Sequence, residues 1–273
     1  MNELAAASRR DYARYLDHID GAWGRLQVAG VEPRHVLALR DAKAATPAAA
    51  NFLIRTLSAL ISWGVPRGFR ADNPCRHVRK LRIGEGYAPW TWEHIAHFRE
   101  HVSRPELWWA TALALYSGQR QHDDLTMLWN DCADGLMSVV QEKTGKKLWI
   151  SMHRDLRVIV THIPRRATTI LTNTRGLPWT SNGFRASWTK ELARPVMAPI
   201  REAGLVFHGL RKSAVVFLLE AGCTDAEVSA ITGQSRQMVE HYARQVNQKK
   251  LAASAVLKWE ASADGGTAQE QNL

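Results

Sequence analysis

His208 and Arg211 stand three residues apart in the stretch FHGLRKSAVVFLLEAG. Behind them Leu210, Ala214, Phe217, Leu218 and Ala221 recur at helical spacing, so the pair opens a helix and shares the face near its positive end. A histidine and an arginine aimed together from a helix start make an anion site, although the same pair also occurs as a capped helix end with a surface arginine. Arg120 follows Gly118 in YSGQRQHDDLTMLW, between two apolar helical runs. Asp123 comes three residues later and can orient that guanidinium or its loop. Lys143 lies at the tip of a hairpin with Lys146 and Lys147 behind it, and such lysines either solvate a turn or grip DNA. Tyr242, the only tyrosine after Tyr116, sits among polar residues in ITGQSRQMVEHYARQ. It suits a half-buried ring covering a helix, and it suits a nucleophile.

Helices must carry most of these groups. In SRRDYARYLDHID, Ser8 offers a cap, and Tyr12, Tyr15, Leu16 and Ile19 share one face. Thr46-Pro47 then opens TPAAANFLIRTLSALISWGV, a helix ended by Gly64. PRGFRADNPCRHVRKLRIGEGYAPW follows, rich in Pro, Gly and Arg, and reads as a linker between domains that also lies along phosphates through Arg67, Arg70, Arg76, Arg79, Lys80 and Arg82. From about Trp90 a larger domain starts with a helix capped by Thr91 and an apolar helix that stops at Gly118. GLMSVVQEKTGKKLWISM holds two strand-like runs around Lys-Thr-Gly-Lys, which is a hairpin. Thr224 and Glu227 form a capping box, Gly233 stops that helix, and helices are expected across residues 181–260. The fold class is therefore mainly α with a small antiparallel β-hairpin or sheet, an α+β arrangement.

The chain has 273 residues, enough for one large domain or two ordinary ones, with 45% hydrophobic and 23% charged residues. The formal net charge is +10 and the pI is near 9.8. Residues 1–85 hold 14 Lys and Arg against 8 Asp and Glu, and the remainder holds 22 against 18. A surplus in both halves suits a polyanion held along an extended surface, nucleic acid before an acidic membrane. No apolar run is expected to reach the ~18 residues of a membrane span, and no signal peptide opens the chain. Cys75, Cys132 and Cys223 are odd in number and scattered, which speaks for a reducing cytoplasm and against a disulfide framework or metal pair.

Four segments, GQRQHDDL, QEKTGKKLWI, HGLR and TGQSRQMVEHY, occur in an order that resembles the catalytic domain of the tyrosine recombinases, the phage-integrase family. Each is weak alone; together, with the hairpin between the first two, they are specific. The resemblance implies a helical core-binding domain over 1–85 with a basic linker at its end and a catalytic domain over 86–260, while the low apolar content of 261–273 reads as a disordered tail. It implies Arg120 and Arg211 as phosphate-bracing arginines, Asp123 as structural support, Lys143 as the hairpin lysine, His208 as the histidine of the His-x-x-Arg pair and Tyr242 as the nucleophile. One departure is Gln234, which stands where the family usually has His or Trp; its amide can still donate a hydrogen bond and does not titrate. The interval from Gln234 to Tyr242 is also about one residue shorter than the family's commonest form.

The chemistry implied is transesterification. Tyrosine attack on a phosphodiester gives a more highly charged pentacoordinate state that two arginines can brace, while Lys143 protonates the leaving 5′ oxygen. A 3′-phosphotyrosine results and can be attacked by another 5′ hydroxyl. No cofactor is expected: neither metal nor ATP is needed. Double-stranded DNA with recombination sites is the expected partner, bound by a homotetramer through Lys146, Lys147 and the linker arginines. Accessory DNA-bending or directionality factors are further expected partners, a membrane is not, and the setting is the bacterial cytoplasm and its nucleoid. Other readings stay open: a helix-turn-helix regulator built on DAEVSAITGQSRQMVEHYAR, a recombinase relic that only binds, and a type IB topoisomerase. An N-terminal arm-binding domain is not expected within these residues, as in a shortened form of the family.

Overall fold

The computed structural model describes residues 4–84, 86–243 and 248–264, and the chain divides into two compact units, Met1–Gly86 and Tyr87–Leu273. The first unit is built from α1 (Ala6–Trp23), α2 (Pro33–Asp41) and α3 (Pro47–Gly64) around Ile19, Val36, Leu53, Leu57, Ile61 and Cys75. Ser8 is not the cap expected of it, because α1 already begins at Ala6. Pro33 and Pro47 each stand at a helix start, where the missing N–H has no intrahelical partner to lose.

Contrary to the sequence-based expectation, one helical stretch, Pro47–Arg67, is long and apolar enough by length and composition to cross a membrane. Its apolar stripe is instead accounted for by the core, since Leu53, Leu57 and Ile61 are buried there. The stretch expected as a linker is also less free than its composition suggests. Asn51 on α3 donates to the Leu81 carbonyl and accepts from the Leu81 amide, both at 2.8 Å. Arg40 donates to the Arg79 carbonyl at 2.6 Å, and Asn73 donates to the Ser58 carbonyl at 3.0 Å.

The second unit starts with α4 (Trp92–His101) and α5 (Pro105–Ser117), and continues through α6 (Gln121–Thr126) into β1 (Cys132–Ala133), β2 (Leu136–Val140) and β3 (Lys147–Ser151). The three strands form an antiparallel sheet in chain order, so β1 is an addition to the expected hairpin. Met137 pairs with Ile150, and alternation turns Met137, Val139 and Ile150 into the core. There they join Trp90, Phe98, Leu107, Leu113, Leu125, Phe184 and Leu210. α7 (Arg154–Thr161), α8 (Ser181–Leu192), α9 (Ala198–Glu202), α10 (Gly209–Glu220), α11 (Asp225–Thr232), α12 (Arg236–Ala243) and α13 (Gln248–Asp264) complete the unit. α13 carries the helix through the first four residues expected as tail; residues 265–273 lie outside the described residues.

Candidate active site

The start of α10 is fixed from behind. A Cβ on Gly209 would lie 2.5 Å from the Ala88 carbonyl, so only glycine lets the helix start this close to the entering chain. Ser213 accepts from the Trp90 amide at 2.6 Å and donates to the Trp90 carbonyl at 3.0 Å, while the Trp90 indole donates to the Val206 carbonyl. Held this way, α10 projects His208 and Arg211 from one end. His208 is exposed and meets the Tyr87 ring edge-on at 5.5 Å. Arg211 is 4% exposed; its Nη1 donates to the Gly118 carbonyl at 2.6 Å.

Gly118 takes φ +63, the left-handed conformation that ends α5 and releases the chain towards Arg120. Arg120 immediately precedes α6. Its Nη1 lies 3.6 Å from Asp123 Oδ2, an ion pair longer than a hydrogen bond. The other Asp123 oxygen accepts from the Glu142 amide at 3.0 Å, which joins the arginine loop to the hairpin turn. Arg120 Nη1 and Arg211 Nη2 are both buried and make no hydrogen bond within the protein. A buried donor left unmade costs roughly 1–3 kcal/mol, so a bound anion that accepted from both would stabilise them beyond what the long Asp123 ion pair gives Arg120.

The charges converge. His208 is held below its ordinary 6.5, first by desolvation and then by Arg211, Arg120 and Lys143, which puts all four cationic groups within electrostatic reach of one another. Arg211 is pushed down to about 10 by burial and Arg120, against Asp124, Asp123 and Tyr242, and so stays charged at neutral pH. Asp124 is fully buried, and burial raises its carboxyl well above the usual range, with Asp123 adding to this against the Ser117 hydrogen bond and Arg211. Asp124 and Asp123 act against the positive field at Arg211.

Tyr242 lies near the end of α12, half-buried against a small cluster of Val215, Leu219, Val228 and Val239. The Lys212 ammonium stands 5.3 Å from its ring centroid, and its hydroxyl acts on Arg211. Tyr116 is placed otherwise. Its hydroxyl donates to Asp155 at 3.2 Å, its ring stacks on His153, and burial with Asp155 lifts it to about 12.

Lys143 is exposed in the turn between β2 and β3. Lys146 is tied down: its Nζ donates to the Gly233 carbonyl at 3.0 Å. Gln234 follows directly, its amide 3.4 Å from Thr232 Oγ1 and its side-chain oxygen buried without a protein partner. Lys147 is exposed at the start of β3. Within the first unit, Arg76, Arg79 and Lys80 line a groove of about 410 Å³ with Arg40 and Arg55, and Arg82 is exposed. Arg67 covers Trp63 and donates to its carbonyl. Arg70 does not offer its charge to the surface: its side chain is 8% exposed and donates to the Val28 and Val31 carbonyls and to Asp72.

Sequence reasoning passed over Gln119, Gln141, Asp124 and Lys212. Gln141 carried a signal, since it continues the inward alternation of Met137 and Val139 with a polar side chain. Lys212 carried none, because it neighbours Arg211 in a helix without marking which face it takes.

The sequence profile described as the phage integrase family matches residues 95–249. Among solved structures, a lambda integrase (75–356) dimer bound to a COC′ core site is 21% identical with TM-score 0.75, covering 88% of this chain and 89% of that one. A lambda integrase tetramer bound to a Holliday junction has the same identity and TM-score over 88% and 72%. The Tn1549 transposon integrase in complex with transposon right end DNA is 13% identical with TM-score 0.75 over 92% and 93%. No curated protein sequence matches.

Proposed function

This chain belongs to the phage integrase family, and on that footing we propose that it is a site-specific DNA recombinase that cuts and rejoins strands through Tyr242. The observation that carries the reading is the pair of buried guanidinium N–H groups, on Arg120 and Arg211, left without protein acceptors beside His208 and Tyr242. A scissile phosphate supplies those acceptors. Tyr242 Oη attacks phosphorus and His208, neutral at rest, takes its proton. The bond from phosphorus to the 5′ oxygen breaks, Lys143 gives that oxygen a proton, and the phosphate stays on the tyrosine as a 3′-phosphotyrosine. The two arginines bind the added charge more strongly than the starting diester, which is what lowers the barrier. The Gln234 side-chain amide, which can donate without titrating, takes the part of a further donor to that phosphate. Nothing in these steps needs a cofactor.

Lys147, Arg76, Arg79, Lys80 and Arg82 contribute phosphate contacts that hold the duplex, with the first unit serving as the core-binding domain. Assembly into a tetramer on paired sites would use α13, on which Val256 and Leu257 are 48% and 66% exposed. The similar solved structures, a lambda integrase dimer on a core site and a tetramer on a Holliday junction, agree with this assembly.

The test is incubation with labelled genomic duplex fragments followed by detergent denaturation. A stable protein–DNA adduct, absent from Tyr242→Phe, supports the reading, and sequencing the trapped ends defines the site. A helix-turn-helix regulator would shift the same DNA without any adduct, and such a result overturns it.

A further inference from the structure

We propose that Gln141 is a positioning residue that keeps the Lys143 turn in register with the Arg120 loop and with the Gly233–Gln234 segment; this rests on Lys143 being the acid of the proposed reaction. The side chain of Gln141 is fully buried and every polar position on it is used. Its Nε2 donates to Gln119 Oε1 at 2.6 Å and to the Thr232 carbonyl at 2.9 Å. Its Oε1 accepts from Thr144 Oγ1 at 2.8 Å. Its backbone closes the turn itself, donating to the Lys146 carbonyl at 2.9 Å and accepting from the Gly145 amide at 2.8 Å.

Gln119 completes the link. Its own amide donates to the Ser117 carbonyl at 2.8 Å and the Ile231 carbonyl at 2.9 Å. Gln119 adjoins Arg120, Thr232 adjoins Gly233, and Gln141 lies two residues before Lys143, so the amide pair joins the neighbours of three groups that must meet at one phosphate. Two outer ties repeat the pattern: Asp123 holds the Glu142 amide and Lys146 holds the Gly233 carbonyl. Lys143 thus stands on a turn anchored from three sides, exposed and near enough to act on the His208 imidazole.

A glutamine suits this position better than its neighbours in size. Glutamate cannot donate to two carbonyls and would put a second charge beside the arginines, and methionine fills the space without any hydrogen bond. An ordinary core-filling role predicts nothing about the leaving group. Positioning Lys143 does, because a misplaced acid matters only when the departing atom needs a proton.

The experiment uses the full chain on a nicked duplex with the sequence recovered from the Tyr242 adduct, carrying oxygen or sulfur at the bridging 5′ position of the scissile phosphate. A thiolate leaves without a proton. Lys143→Ala should slow single-turnover cleavage of the oxygen substrate by ~10²-fold or more and return to near the parent rate with sulfur. Gln141→Met should follow it, at roughly 10- to 100-fold with oxygen and within a few-fold of the parent with sulfur, a recovery that also certifies its fold. Thr144→Val, which removes only one tie, should show the same pattern more weakly. Equal slowing of Gln141→Met on both substrates, or no slowing on either, overturns the proposal. Lys143→Ala failing to recover with sulfur would remove Lys143 as the acid and the premise with it.

Discussion

Arg211 on α10 donates through Nη1 to the carbonyl of Gly118, 93 residues earlier, at 2.6 Å. That bond holds one edge of the guanidinium against the end of α5 and leaves Nη2 as the buried donor without a partner. Arginine can serve both demands because its N–H groups form a rigid fork, whereas lysine is a single flexible point charge.

We therefore expect Arg211→Lys to keep DNA affinity but lose ~10²–10³-fold in cleavage rate, the value of one transition-state donor. Arg120→Ala should fall at least as far. Single-turnover rates at saturating DNA decide this, and a change under threefold in either variant would count against the phosphate clamp.

Tyr242→Phe should bind DNA as the parent does and give no covalent adduct. Tyr116→Phe should still form one, because the Tyr116 hydroxyl is engaged with Asp155 and pushed up to about 12. An adduct on Tyr242→Phe alone, located by peptide mapping, would move the nucleophile.

The acid limb of the pH profile should belong to His208. Its folded-state value lies below 6.5, because desolvation and three nearby cations disfavour the imidazolium. Neutral imidazole therefore persists as the pH drops past 6.5, and kcat/KM should begin to fall only below that point. Stability follows the same sign: the contribution is present above the unfolded value and is lost as pH falls through the folded one. His208→Asn should remove that limb at a lower plateau; an unchanged limb would assign it elsewhere.

Gly233→Ala should destabilise the second unit. The residue takes φ +68, and a Cβ there would stand 2.5 Å from Gln141 Nε2. The left-handed conformation alone costs a non-glycine residue about 1–2 kcal/mol, before the buried amide is displaced. Denaturant titration should show the loss, and combining it with Gln141→Ala should recover part of it.

Arg79→Ala and Arg82→Ala should each lower the salt slope of DNA binding by about one. Arg70→Ala should leave the slope unchanged and lower the unfolding midpoint, since its donors serve the Val28 and Val31 carbonyls. Filter binding across a salt series, with thermal unfolding alongside, separates the two.

The helices were legible because their signals are local. Thr91 and Thr224 cap where their sequences say they should, and Gly118 and Gly233 adopt the left-handed turn that ends a helix. Ser8 failed as a cap because helical propensity in Ala5–Ala7 lets α1 start before it. The two-residue strand β1 was too short to alternate. The candidate chemistry could be read from residue types in order, but the roles of cations could not. Arg70, Lys146 and Arg82 look alike in a sequence, and only the fold shows that the first two donate to backbone carbonyls. Gln119 and Gln141 meet across 22 residues, a pairing that no local pattern announces.

The Lys146–Gly233 bond has a consequence for timing. The turn that carries Lys143 and the segment that leads to α12 are fastened by this bond as well as by Gln141, so neither can swing far without dragging the other. If Lys143 and Tyr242 act as proposed, an inactive protomer would withdraw its proton donor and its attacking oxygen together. Half-armed states, able to break a strand but not to release its end, would then be scarce, and a nick left by an untimely protomer would be a rare event.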